Sequence, residues 1–118
     1  MDLVLSFDDV LLVPQYSEVE SRKDIIISQK LRSVGDFSLP IISSPMDTVT
    51  GESMSAAIAK EGGIGVIHRY NSIEEQTRMV MNVTSSGHSV GAAIGIGDDC
   101  VNRALSLVRA GVSFLCID

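Results

Sequence analysis

The chain has 118 residues, 45% hydrophobic and 20% charged, with a net charge of −6, enough for one domain with a core of its own. An acidic chain repels phosphate backbones, which excludes non-specific nucleic-acid binding but leaves room for local capture of an anionic nucleotide by backbone amides. No apolar run approaches a membrane span, Met1-Asp2-Leu3 lacks the basic start of a signal peptide, and Cys100 and Cys116 have neither disulfide-framework nor metal-ligand spacing; a reducing, cytoplasmic setting is expected.

With no Trp, three Phe and two Tyr, the core must be aliphatic, which suits buried parallel strands and their covering helices. Leu3 to Pro14 reads as extended, residues 15–24 as polar and irregular, and Asp24 to Ser28 as a second extended run. The pattern changes at Leu39. Leu39 to Ser43 reads as a strand and Ser44 to Thr48 as a loop. A helix follows over Glu52–Glu61, with Met54, Ala57 and Ile58 on one face, and Gly62-Gly63 stops it. Ile64 to Ile67 is the next strand. Ser72-Ile73-Glu74-Glu75 is a capping box, which predicts a helix from Ser72 to about Val83. Val90 to Ile94 is a third strand. Asp98 or Asp99 caps a third helix, with Val101, Ala104, Leu105 and Val108 at helical spacing and Gly111 at its end. Ser113 to Ile117 is a fourth strand. Residues 1–38 are thus an extended arm and 39–118 a βαβαβαβ series. Such units give parallel strands with right-handed crossovers. Two architectures fit, a doubly wound sheet or the first half of an eight-stranded barrel. The latter needs about 250 residues, so the chain reads as a fragment or one half of a split protein.

In either architecture function collects where the strands end. After the first strand, Ser43, Ser44, Met46, Asp47 and Thr48 bring hydroxyls that can bond a ribose or phosphate and a thioether that can pack on a base. The plainer alternative, favoured by composition alone, is that Thr48 or Thr50 caps the next helix and Met46 fills core. His68, at a strand end, reads as a hydrogen-bonded structural residue before an acid–base group, and His88 as solvated. Gly95-Ile96-Gly97 could hold an anion, but Cys100 stands where a dinucleotide fingerprint has its third glycine, and a tight turn is preferred. Cys100 in a first helical turn and Cys116 inside a strand have no suitably spaced base. Asp118 is placed either to bond ribose hydroxyls or as a solvated strand end.

Several segments together resemble the IMP dehydrogenase/GMP reductase family: Ser6-Phe7-Asp8-Asp9-Val10-Leu11-Leu12-Val13-Pro14, Ser43 to Thr50, Glu61 to Arg69, Gly91 to Gly95, and Ala110-Gly111-Val112 with Ile117-Asp118. The resemblance implies an α/β fold of the (β/α)8 TIM-barrel type, with 1–118 the N-terminal part of a single barrel domain holding four of its eight strands. It further implies an oxidoreductase acting on purine nucleotides, usually a homotetramer, in which a cysteine thiolate attacks C2 of the base. The dehydrogenase passes a hydride from IMP to NAD and yields XMP; the reductase uses NADPH to convert GMP to IMP. Ser44 and Met46 match nucleotide-contacting positions, and Asp118 matches the aspartate that binds the cofactor ribose. Ser21-Arg22 resembles a pair that reductases use at the NADPH site. The family's nucleophilic cysteine, phosphate-binding glycines, mobile flap and a monovalent cation would lie outside this segment, so the 118 residues alone are expected to be inactive. Val83 to Ser89 has no room for the regulatory CBS insert of many dehydrogenases. Pro45 to Thr50 and Glu61 to Gly65 lean towards the dehydrogenase. The competing expectations are a non-catalytic half-barrel that assembles with a partner chain or with itself, and an unrelated open α/β nucleotide binder.

Overall fold

A computed structural model describes residues 4–32 and 34–118; Met1-Asp2-Leu3, used above to judge a leader and the start of the first extended run, lie outside the described residues. Four strands, β3 (Ile42–Ser43), β4 (Ile64–Ile67), β5 (Gly91–Ile94) and β6 (Phe114–Ile117), form one parallel sheet in sequence order. Three helices, α1 (Glu52–Lys60), α2 (Ile73–Ser85) and α3 (Cys100–Arg109), connect them. Before the sheet comes a two-stranded antiparallel hairpin, β1 (Gln29–Leu31) with β2 (Gly35–Phe37).

Turn chemistry explains why the chain folds back so regularly. Each helix ends in the same motif. The residue after the C-cap is a glycine at positive φ (Gly62, Gly87, Gly111), a backbone state that costs a side chain dearly. The next residue's N–H then reaches three residues before the cap: Gly63 to Ile58, His88 to Val83, Val112 to Leu107. This paired closure satisfies carbonyls that the helix leaves orphaned and aims the chain at the following strand. At the other end of α2, the Ser72 hydroxyl accepts the Glu75 N–H at 3.1 Å, half of the expected capping box. Glu75 does not complete it, because its carboxylate takes Arg78 instead.

Strand register sorts the side chains into two layers. Ile67, Val90, Ala92 and Ile94 face the helices and join Val80, Val83 and Leu107 in one apolar cluster. The opposite face carries Gly91 beside Phe114. A Cβ on Gly91 would lie 2.5 Å from the Phe114 ring, so the glycine makes room for the aromatic. Gly65 likewise admits α1, since its Cβ would lie 2.7 Å from the Ser55 Cα.

Several expectations are corrected. In α1 the buried residue is Ser55, while Met54 and Ala57 are exposed. In α3 the buried residues are Arg103 and Leu107, while Val101, Leu105 and Val108 point outward. The apolar spacing was right for a helix but marked the wrong face, because these flanks have no neighbouring helix among the described residues. Asp99 occupies the cap position of α3 without capping it; its carboxylate binds Arg103. The first strand spans two residues rather than five. The extended readings before it are interrupted by single 3-10 turns at Phe7–Asp9 and Arg22–Asp24. The hairpin was not foreseen.

Candidate functional site

At the C-terminal ends of the strands, Ser44, Pro45, Met46, Asp47, Tyr70 and Asp118 line a cavity of about 500 Å³, within the size range of small-molecule sites. Three of the five expected site residues, Ser44, Met46 and Asp118, therefore converge. They come from the loop after β3 and the end of β6, with Tyr70 supplied by the loop after β4.

The β3–α1 loop is shaped by its own backbone. The Met46 carbonyl accepts the N–H groups of Val49 and Thr50, at 3.0 and 2.9 Å, and the Ser44 carbonyl accepts that of Met46 at 2.8 Å. Thr50 is fully buried; its hydroxyl donates back to the Ser44 carbonyl, and its own carbonyl accepts the His68 N–H. Thr50 thus ties the loop shut instead of capping α1, whose N-cap is Gly51. Met46 is 52% exposed, so the core-filling alternative is set aside.

Asp118 is more than a solvated strand end. Its Oδ2 accepts a hydrogen bond from Arg69 Nε at 3.2 Å, leaving the other oxygen able to accept a hydroxyl. Both side chains are about one-third exposed. The Arg69 guanidinium also lies 5.2 Å from the Tyr70 ring centroid, a cation–π distance. To reach Asp118 from β4 it crosses the end of β5, where a Cβ on Gly95 would stand 3.3 Å from Nη1. Gly95 thus serves passage of a side chain, and Gly97 a tight turn whose carbonyl accepts the Cys100 N–H at 3.0 Å. Arg69 and Tyr70 were missed as site residues. Arg69 stands inside the motif that carries the family resemblance, but its partner is 49 residues away.

The other candidates lie apart from the cavity. Ser21 caps the 3-10 turn Arg22–Asp24, its hydroxyl accepting the Lys23 N–H at 3.2 Å; neither Ser21 nor Arg22 lines the cavity. His68 is buried, but its Nδ1 has no partner among the described residues, and the bonds that hold the residue are to its backbone, against the expectation of a hydrogen-bonded ring. His88 is half-buried rather than solvated, and Cys100 and Cys116 are half-buried free thiols. No helix among the described residues is long and apolar enough to cross a membrane.

The lining chemistry suits hydroxyls and a flat base. A carboxylate with one oxygen available suits ribose hydroxyls, and an exposed thioether and an exposed phenol ring offer flat apolar surface to a base. The family model described as the IMP dehydrogenase / GMP reductase domain matches residues 4–118. The chain is 48% identical over 83 residues to inosine-5'-monophosphate dehydrogenase of Nitrosopumilus maritimus, which covers 70% of this chain and 17% of the relative. It is 50% identical over 86 residues to inosine-5'-monophosphate dehydrogenase of Halalkalibacterium halodurans, covering 73% and 18%. GMP reductase of Leishmania donovani is 48% identical over 79 residues, covering 67% and 16%. The chain thus matches about a sixth of the length of these relatives.

Proposed function

This chain belongs to the IMP dehydrogenase / GMP reductase domain family, and on that premise we propose that it serves as the N-terminal part of a (β/α)8-barrel enzyme that oxidises IMP to XMP with NAD in the cytoplasm. The observation that carries the reading is the convergence of Ser44, Met46 and Asp118 on one cavity at the strands' C-terminal ends. The domain reading follows: 1–38 form an arm and 39–118 the first four strand units. The homotetramer, and a monovalent cation held outside this segment, are part of the same proposal.

The chain's own residues supply binding and orientation. Ser44 and Met46 hold the purine nucleotide, the hydroxyl by hydrogen bonding and the thioether by packing on the base. Asp118 accepts the ribose hydroxyls of NAD, and Arg69 holds that carboxylate in place. When bound, NAD supplies the hydride acceptor.

A second reading, GMP reductase with NADPH, is favoured by the 48% identity to the Leishmania GMP reductase and by the Ser21-Arg22 pair.

Kinetics of the full-length enzyme test these readings. NADH should form with IMP; turnover only with GMP and NADPH would shift the assignment to the reductase. Asp118→Ala should raise the KM for NAD about ten- to hundredfold, as expected for a lost charge-assisted hydrogen bond, and leave that for IMP nearly unchanged. An unchanged NAD KM with a lowered Tm would remove Asp118 from the site.

A further inference from the structure

Arg103 is 8% exposed and sits one turn before Leu107 on the inward face of α3, where an aliphatic side chain would be ordinary. A buried cation is costly unless its donors are all met. Here each guanidinium nitrogen has a partner. Nε donates to Asp99 Oδ2 at 2.9 Å, Nη1 to Gln76 Oε1 at 2.9 Å and Nη2 to the Asn71 carbonyl at 3.1 Å, with Nη2 also 2.8 Å from Asp99 Oδ2 as an ion pair. Gln76 is itself fully buried, and its Nε2 donates to the carbonyls of Ile67 at 3.3 Å and Ala93 at 2.8 Å. Only this orientation of the amide satisfies both the guanidinium and the two carbonyls.

The carbonyls so engaged have a pattern. Ile67 immediately precedes, and Asn71 immediately follows, the three-residue arch His68-Arg69-Tyr70, and Ala93 lies two residues before Gly95. The arch presents Arg69 to Asp118 across Gly95 and Tyr70 to the cavity. We propose that Arg103 and Gln76 are positioning residues for this site: they clamp both feet of the arch and thereby fix Arg69 against Asp118 from outside the cavity. An apolar pair of equal volume would fill the same space, but it would leave the arch unanchored and these carbonyls without their donors. The inference rests on the reading of Asp118 as the group that binds the NAD ribose.

The test is made on the full-length enzyme, measuring the NAD dissociation constant by calorimetry, both KM values and Tm. Arg103→Met should weaken NAD about three- to tenfold, in line with loss of one well-aligned hydrogen bond, while the IMP KM stays put. In an Asp118→Ala background the same substitution should weaken NAD no further. Arg103→Lys keeps a charge beside Asp99 but cannot reach Gln76 and Asn71 together; it should repeat the NAD effect with a smaller loss of Tm, and it decides the matter if Arg103→Met does not fold. A fall in Tm with unchanged NAD affinity in the folded variants would overturn the inference, as would equal weakening with and without Asp118. If Asp118→Ala weakens NAD and the Arg103 variants do not, the inference alone fails. If Asp118→Ala itself leaves NAD binding intact, the reading of Asp118 fails and takes the inference with it.

Discussion

At the N-terminal ends of β4, β5 and β6 the chain turns on glycines, and each turn is closed by bonds back to its own helix, with added ties such as the Thr84 hydroxyl to the Ala110 carbonyl. At the C-terminal ends the β3–α1 loop is closed by its own residues, but the segments after β4 and around the ends of β5 and β6 are also held by side chains from elsewhere. Gln76 reaches Ala93 across 17 residues, Arg103 reaches Asn71 across 32, and Arg69 reaches Asp118 across 49. Local turn chemistry fixes a path whatever surrounds it. Loops held from a distance take their geometry from the assembled core, so their own residues are left for binding. One end therefore fixes the path of the chain and the other carries the cavity, the division expected of parallel α/β folds.

The largest expected effect lies in the core between them. Leu107→Ala, at a fully buried position, should cost about 2–5 kcal/mol of unfolding free energy, read by denaturant titration, and leave the KM values of the folded fraction unchanged. If the KM values moved with it, stability and binding would not be separable as drawn. Asp118→Ala comes next and should behave oppositely. Ser44→Ala should weaken IMP by roughly 0.5–1.5 kcal/mol, read as a KM change of up to about tenfold, because the Ser44 carbonyl, not its hydroxyl, holds the loop together. A loss of Tm with no change in IMP KM would return Ser44 to the scaffold.

The smallest effect is electrostatic. The hydrogen bond from Arg78 holds the Glu75 carboxyl below its ordinary 4.5. A folded-state value lowered in this way contributes stability above pH 4.5 that is lost as the pH falls through the folded value. Glu75→Gln should thus lower Tm slightly at pH 7, and the gap between variant and wild type should close in acid below about pH 4.5. A gap independent of pH would assign the loss to packing.

What the sequence made legible follows the same divide. Ser72 and the three glycines announce their turns by residue type, and the alternation of strands and helices from Glu52 onward was read to within about two residues, while the strand before it is shorter than expected. The Gln76–Arg103 clamp was not legible, because its meaning needs three segments brought together. Helix faces were misjudged in α1 and α3, where apolar spacing cannot tell a core face from an uncovered flank. The hairpin of Gln29–Leu31 and Gly35–Phe37 shows no alternation to reveal it. Ser44, Met46 and Asp118, which line one cavity, were singled out through a motif and a strand end, whereas Arg69 is identified only by the carboxylate it meets.

The order of the sheet also bears on how fast it can form. Ile42 pairs with Ile64, Val66 with Gly91 and Gly91 with Phe114, separations of 22, 25 and 23 residues. Each strand needs only the unit before it, so no long loop must close before pairing begins. Such a sheet can be laid down one strand at a time as the chain leaves the ribosome. The last hydrogen bond to form would be the longest-range one described, Arg69 with Asp118, so the cavity would be completed only after the scaffold beneath it.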